Sequence, residues 1–241
     1  MDLGLSDRRA LVTAASKGLG RACAEALIAE GARVVISSRD GDRIEATGLA
    51  IGAFRWVAAD LSRAGDPEAL VKTAAENLDG LDILVVNAGG PPPGTFQSTG
   101  LEAWEAAYHL TLMSAVRLVK AALPHLRQSE QGRIVFITSV SIRQPIPNLV
   151  LSNSVRAGVT GLAKTLSREL GPDRVTVNCL APDGILTDRL RELDVTPSSP
   201  MGRFGDPAEF AAACAFLCSR QAAFITGQTL GVDGGSLLGV H

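Results

Sequence analysis

The chain has 241 residues, of which 46% are hydrophobic and 20% charged, and its formal net charge at pH 7 is -2. This composition is typical of a globular domain and excludes an intrinsically disordered chain. The absence of a strong basic excess argues against a nucleic-acid partner. No apolar run reaches the ~18 residues of a membrane span, and residues 1–7 do not resemble a signal peptide. We therefore expect a cytoplasmic protein without a membrane partner.

Short apolar runs alternate with longer amphipathic stretches along the chain. Seven runs are predicted to be buried strands, namely residues 8–13, 33–37, 54–58, 82–86, 133–138, 174–180 and 229–232. Six stretches with helical periodicity lie between them, namely residues 18–30, 43–51, 67–78, 101–127, 151–170 and 207–218. This alternation predicts a parallel sheet with right-handed crossovers and helices on both faces. We therefore predict one doubly wound α/β domain of about seven strands that spans residues 1–241.

The turn after the first strand consists of small residues and reads TAASKGLG over residues 13–20. Glycines in such a turn let backbone N–H groups approach a pyrophosphate at the N-terminus of the following helix. The residues of this turn predicted to bind a cofactor are Ser16, Lys17, Gly18, Leu19 and Gly20. The alternative is a plain strand-to-helix turn, since Ala14 stands where a further glycine is expected.

Two later strand ends also carry residues suited to a nucleotide. Asp60 follows the third strand and can accept a hydrogen bond from an adenine amino group, with Leu61 beside it. Asn87, Ala88 and Gly89 form a small polar turn after the fourth strand, next to the expected ribose. Ligands of doubly wound sheets bind at the carboxyl ends of the strands, where the strand order reverses. We therefore predict that these five residues bind a cofactor.

These motifs, in this order, resemble the short-chain dehydrogenase/reductase family, in particular its 3-oxoacyl-carrier-protein-reductase-like members. The resemblance extends from the first strand to VDGG at residues 232–235, and it includes PMGRFGDPAE at 200–209 and ITGQ at 225–228. It implies a Rossmann-type fold, a nicotinamide dinucleotide cofactor, and a homodimer or homotetramer. No His/Cys cluster has metal-ligand spacing, so we expect no metal.

Charge at the end of the second strand favours NADP over NAD. An NAD site usually has an acidic residue there that binds the ribose 2′-hydroxyl, but this strand ends in Ser37, Ser38 and Arg39. Lys17 is expected near the same ribose, and two cations with two hydroxyls suit a 2′-phosphate. NAD is the alternative cofactor. In the other interpretation, Arg39 and Asp40 only cap and solvate the next helix.

The resemblance also implies a catalytic serine, a tyrosine thirteen residues later and a lysine four residues beyond it. In the family the tyrosine is the general acid, and the lysine lowers its pKa and binds the nicotinamide ribose. Ser139 matches the serine, but Ser152 and Arg156 occupy the other two positions, and Thr111 occupies the position of a supporting asparagine. We therefore predict a non-classical branch of the family. Its catalytic residues are predicted to be Ser139, Ser152 and Arg156, and Arg156 is also predicted to bind cofactor.

Other residues near this motif leave alternatives open. Ser141 is a second hydroxyl that can bind a carbonyl oxygen, and Arg143 is either a ligand for an acidic substrate or a solvated loop cation. Tyr108 and His109 are expected to serve packing or the surface. The turn APDGILTD at residues 181–188 has an aspartate where the family has glycine. Within it, Ile185 and Thr187 are predicted to contact the nicotinamide.

Together these features predict an NADP(H)-dependent oxidoreductase that acts on a small-molecule ketone or secondary alcohol, with 3-oxoacyl compounds as candidate substrates. A serine hydroxyl is a much weaker acid than a phenol, whose pKa is about 10, and arginine stays protonated. The alternative is therefore a catalytically silent nucleotide-binding protein with a regulatory or structural role.

Overall fold

Seven short strands form one parallel sheet in the computed structural model, which describes residues 1–191 and 195–239. The strands are β1 (Arg9–Val12), β2 (Arg33–Ser38), β3 (Arg55–Ala58), β4 (Ile83–Val86), β5 (Arg133–Ile137), β6 (Thr176–Pro182) and β7 (Thr229–Val232). Their spatial order is β3-β2-β1-β4-β5-β6-β7, so the order reverses between β1 and β4. The predicted doubly wound fold class is confirmed.

Eight α-helical segments connect these strands in the described part of the chain. They are α1 (Gly18–Ala29), α2 (Gly41–Ile51), α3 (Asp66–Leu78), α4 (Leu101–Ala107), α5 (Ser114–Gln128), α6 (Val150–Glu169), α7 (Asp188–Arg191) and α8 (Pro207–Cys218). The stretch predicted as one helix over 101–127 is continuous but contains a π-helical turn, Tyr108–Met113, between α4 and α5. The short helix α7 and a 3₁₀ turn, Val140–Ile142, were not predicted.

Helices cover both faces of the sheet, which explains why the strands are apolar on both sides. One face packs against α3, α5 and α6 through a buried cluster that includes Leu118, Phe136 and Val159. The other packs against α1 and α8 through a cluster that includes Leu27 and Phe210. The two buried layers fix the carboxyl ends of all strands at one edge, where the site lies.

An ion pair joins β1 to the start of β4 at the opposite edge of the sheet. The side chain of Arg9 donates to both carboxylate oxygens of Asp82, at 2.9 and 2.7 Å. The hydroxyl of Ser129 donates to the same carboxylate at 2.6 Å. Asp82 is 2% exposed. Burial raises the pKa of Asp82, but the hydrogen bonds from Arg9 and Ser129 outweigh it, so the pKa lies below its ordinary value.

Replacing Asp82 with asparagine is expected to lower the free energy of unfolding by about 2 kcal/mol at neutral pH, because it leaves the Arg9 guanidinium without its charge partner. A carboxyl whose pKa is lowered by folding stabilises the protein above its unfolded pKa of ~4, and this contribution is lost as the pH falls through the lowered value. The gap between wild type and Asp82→Asn in urea unfolding should therefore shrink below pH ~4.

Asp173→Asn is the matched control, since Asp173 forms a more exposed pair with Arg127 at 2.7 Å. Such a surface pair contributes about 1 kcal/mol or less. Equal losses in the two variants, or a gap that stays constant down to acid pH, would contradict the stabilising role of the pair between Arg9 and Asp82.

Candidate active site

A cavity of about 820 Å³ opens at the carboxyl ends of the strands, where the strand order reverses between β1 and β4. Most of the residues predicted from the sequence line it. These are Ser16, Lys17, Gly18, Leu19, Arg39, Leu61, Asn87, Ala88, Gly89, Ser139, Ser152, Arg156, Ile185 and Thr187. Gly20 and Asp60 are not among the lining residues, although both lie next to residues that are.

Gly20 allows the first turn of α1 to pack directly against the end of β1. A Cβ atom at this position would lie 2.6 Å from the carbonyl oxygen of Ala14 and 2.7 Å from Nδ2 of Asn87. Nδ2 of Asn87 in turn donates to that carbonyl at 3.1 Å, and the hydroxyl of Thr13 donates to the carbonyl of Asn87 at 2.7 Å. Hydrogen bonds therefore hold the ends of β1 and β4 together, and only glycine fits between them and α1.

The turn between β1 and α1 lies against the cavity, and its conformation is fixed by backbone geometry and a hydrogen bond. Ala14 has a φ of +48°, a left-handed conformation that costs an alanine about 1–2 kcal/mol relative to glycine. From α2, the hydroxyl of Thr47 donates to the carbonyl of Ser16 at 3.0 Å. Within the described residues, the side chain of the N-cap residue Lys17 makes no capping hydrogen bond to α1. The backbone N–H groups in the first turn of α1 are therefore left for a ligand. A cradle of this shape fits a pyrophosphate at a helix N-terminus.

The end of the cavity near α2 is basic. Lys17, Arg39 and Arg43 line it, together with Ser38 and Asp40. The carboxylate of Asp40 accepts the backbone N–H of Arg43 at 3.0 Å and lies 3.5 Å from its Nε. Asp40 thus caps α2, as the alternative interpretation held, while Arg39 and Arg43 remain against the cavity. The sequence analysis did not predict Arg43 as a cofactor-binding residue. Its spacing of four residues from Arg39 was the available signal, since residues four apart lie on the same side of a helix.

Asp60 has a structural role in the loop that follows β3. Its carboxylate accepts the backbone N–H and the hydroxyl of Ser62, at 3.0 and 2.7 Å. Burial raises the pKa of Asp60, but these hydrogen bonds outweigh it and the pKa lies below its ordinary value. Asp60 therefore stabilises the loop after β3, and its binding to adenine stays a prediction.

Ser139, Ser152 and Arg156 all line the cavity, Ser139 from the loop after β5 and the other two from α6. The Nη1 atom of Arg156, on α6, donates to the carbonyls of Ile137 and Thr138 at 3.0 and 3.1 Å, which fixes the guanidinium against the end of β5. Oγ of Ser139, the next residue, accepts the backbone N–H of Ser141 at 3.1 Å. This bond occupies a lone pair of the Ser139 hydroxyl, so its proton can be donated into the cavity.

Two other candidates do not line the cavity. The exposed side chain of Arg143 donates from Nη2 to the carbonyl of Thr229 at 3.0 Å, in keeping with a solvated loop cation. Ser141 is 2% exposed, and its hydroxyl has no hydrogen-bond partner among the described residues. Its backbone N–H, rather than its hydroxyl, acts on Ser139.

The π-helical turn contains Thr111 and contributes one of its residues to the wall of the cavity. The hydroxyl of Ser114 donates to the carbonyl of Leu110 at 2.5 Å, and Leu110 lines the cavity. Thr111 is buried, and its hydroxyl has no partner among the described residues. Tyr108 and His109 are exposed and pack on each other, with ring centroids 5.3 Å apart. As expected, neither lines the cavity.

Apolar walls and the turn after β6 complete the substrate end. Sequence reasoning missed the apolar lining residues, which come from four separate loops or helices: Pro91, Leu110, Leu149 and Leu190. In the turn, Gly184 has a φ of +56°, so it supplies the conformation that Asp183 does not. No cluster of three or more potential metal ligands, and no helix long and apolar enough to cross a membrane, occurs in residues 1–191 and 195–239.

The parallel sheet, its strand order and the glycine cradle define a protein of the Rossmann-type α/β class. A family model described as enoyl-(acyl carrier protein) reductase matches residues 13–236. The chain is 37% identical over 243 residues to a 3-oxoacyl-[acyl-carrier-protein] reductase from Synechocystis, with 97% of this chain and 98% of that protein covered. The chain belongs to the short-chain dehydrogenase/reductase family.

Two solved structures are similar to this chain over nearly its whole length. L-Sorbose reductase from Gluconobacter frateurii, in complex with NADPH and L-sorbose, has a TM-score of 0.94 and 31% identity, and both chains are covered completely. A short chain oxidoreductase from Pseudomonas aeruginosa PAO1, which contains an atypical catalytic center and was solved with NADPH, has a TM-score of 0.90 and 32% identity. That comparison covers 98% of this chain and 99% of the other.

Proposed function

We propose that this protein is an NADP(H)-dependent reductase of a ketone, or in reverse a dehydrogenase of a secondary alcohol, that works by a non-classical mechanism. The observation that carries the proposal is a cavity with two distinct ends. One end has three cations, Lys17, Arg39 and Arg43, and the other has the hydroxyl of Ser139 beside the guanidinium of Arg156. A homodimer or homotetramer belongs to the same proposal.

The similar structures support this choice of cofactor and chemistry. Two of them hold NADPH, one with a ketose substrate, and one has an atypical catalytic center. A 3-oxoacyl reductase is similar to the chain as well, which keeps 3-oxoacyl compounds among the candidate substrates. Apolar walls next to two serine hydroxyls fit a small ketone with one polar and one apolar side.

When bound, reduced NADP supplies a hydride for the carbonyl carbon. The chain itself must orient the carbonyl, stabilise the negative charge that develops on its oxygen, and provide access for a proton. The hydroxyl of Ser139 donates a hydrogen bond to that oxygen, because its lone pair already accepts the N–H of Ser141. Its position directly after β5 makes this donor rigid.

Arg156 acts by charge rather than by proton transfer. Its guanidinium stays protonated at any physiological pH, and its bonds to the carbonyls of Ile137 and Thr138 keep the charge beside Ser139. A fixed positive charge stabilises a developing alkoxide. Ser152 lines the same end, and the alkoxide that forms takes its proton from solvent in the cavity.

The choice of NADP over NAD predicts the effect of removing the basic side chains. Arg39→Ala and Arg43→Ala should each raise the Kd for NADPH about tenfold, because each loses a charge-assisted contact with the 2′-phosphate. The Kd for NADH should stay constant. Fluorescence titration of both nucleotides checks this.

Arg127→Ala is the control for the two arginine variants, since Arg127 is exposed, pairs with Asp173 and does not line the cavity. A Kd for NADPH that is unchanged in both Arg39→Ala and Arg43→Ala would contradict recognition of the 2′-phosphate at this end.

Restoring the classical residues tests the non-classical mechanism. The double variant Ser152→Tyr/Arg156→Lys regains a phenol and a lysine in the family's register, and a general acid is worth about 10²–10⁴ in rate. We expect kcat/KM to rise about 10²-fold on the best substrate from a panel of diketones, ketoses and acyl-thioester mimics. NADPH oxidation is followed by absorbance.

The control Ser154→Tyr/Arg168→Lys makes the same changes on the exposed side of α6 and should give no gain. No gain in the first variant, with NADPH binding intact, would contradict the expectation that the pocket is otherwise intact, and would mean that the pocket itself has been rebuilt. NADPH binding without turnover by both wild type and double variant would instead favour a catalytically silent protein.

A further inference from the structure

Asp183 joins three segments of the chain at the wall of the cavity. It follows β6 directly and lines the cavity. Its Oδ2 accepts the hydroxyl of Ser236 at 2.6 Å and the hydroxyl of Ser198 at 3.3 Å. Ser198 precedes α8, and Ser236 follows β7. The carboxylate of Asp183, which stands where the family has glycine, therefore accepts hydrogen bonds from two other segments of the chain and does not simply project into solvent.

Residues 233–239, here called the C-terminal strap, connect this turn to the loop after β5. The carboxylate of Asp233 accepts the backbone N–H groups of Gly235 and Leu237, at 3.1 and 3.0 Å, and so shapes the strap. Further along, the N–H of Leu238 donates to Oε1 of Gln144 at 3.2 Å. The strap thus bridges the two loops that border the substrate end.

The backbone of the same turn is held from its other side. The N–H of Gly205 donates to the carbonyl of Gly184 at 2.9 Å, and the N–H of Leu186 donates to the carbonyl of Gly205 at 2.8 Å. Ile185 and Thr187, predicted to contact the nicotinamide, lie within or next to the segment that these two hydrogen bonds hold. Main-chain bonds therefore fix one side of the turn, and Asp183 supplies the side-chain bonds on the other.

We propose that Asp183 is a positioning residue that holds the turn at residues 183–187 in the conformation that receives the nicotinamide half of the cofactor. It does so through Ser236 and Ser198, and the proposal rests on the proposed function. Hydrogen bonds to a carboxylate are about twice as strong as neutral ones, so their loss lets the turn move. Binding of the adenosine half, at the opposite end of the cavity, does not depend on them.

The test compares two ligands on the full-length protein. Asp183→Gly should raise the Kd for NADPH about tenfold, and it should leave the Kd for adenosine 2′,5′-bisphosphate, which lacks the nicotinamide, unchanged. Asp183→Asn keeps an acceptor oxygen and should retain most of the NADPH affinity. Asp173→Gly, which removes a carboxylate beyond the amino end of β6, should change neither Kd.

Three binding results would overturn the proposal. They are an unchanged Kd for NADPH in Asp183→Gly, equal weakening of both ligands, which indicates a general structural loss, and an Asp183→Asn variant as weak as Asp183→Gly. A merely structural role would not spare the bisphosphate.

Hydrogen exchange on the cofactor-free protein separates this inference from the proposed function. Asp183→Gly and Ser236→Ala should both accelerate amide exchange in residues 183–187 and 233–239, and unchanged exchange would overturn the proposed bonds. Wild-type protein that binds neither ligand would overturn the proposed function and the positioning role with it, while the exchange rates would still report whether the bonds form.

Discussion

The active-site end of this protein depends on a backbone contact that is too close for any side chain. At the point where the strand order reverses, the first turn of α1 lies against the carbonyl of Ala14 and the amide of Asn87, with Gly20 between them. The hydrogen bond between Asn87 and Ala14 holds the ends of β1 and β4 in place. This contact sets the position of the cradle and therefore the axis of the cavity, from the cations beside α2 to Ser139 and Arg156.

In the proposed mechanism, a fixed positive charge takes the place of an acid at the far end of the cavity. A phenol acts by releasing a proton, whereas a guanidinium bonded to two carbonyls at the end of β5 can only stabilise negative charge and orient its neighbours. This requires a rigid surrounding, because electrostatic stabilisation depends on groups that are already in place. The hydrogen bond from Ser141 to Ser139, and the bonds of Asp183 to the C-terminal strap, meet that requirement on two sides of the cavity.

Periodicity and local motifs predicted the fold and the glycine turn, because both depend on residues that are close together in the sequence. The alternation of apolar runs predicted the ends of all seven strands to within two residues, and the glycine turn predicted the place where α1 meets β1. Pro91, Leu110, Leu149 and Leu190 could not be predicted as neighbours, since they lie in separate loops and helices that only tertiary packing brings together. The π-helical turn could not be predicted either, because its sequence does not depart from an ordinary helical pattern.

NADPH titration of wild type, Gly20→Ala and Gly161→Ala tests this dependence most directly. A Cβ at Gly20 would lie within 3 Å of two polar atoms, whereas a Cβ at Gly161, on α6, meets nothing within 4 Å. Wild type and Gly161→Ala should bind NADPH alike, and folded Gly20→Ala protein should bind it about tenfold more weakly or not at all. Equal affinity in Gly20→Ala and wild type would show that the close contact does not build the site.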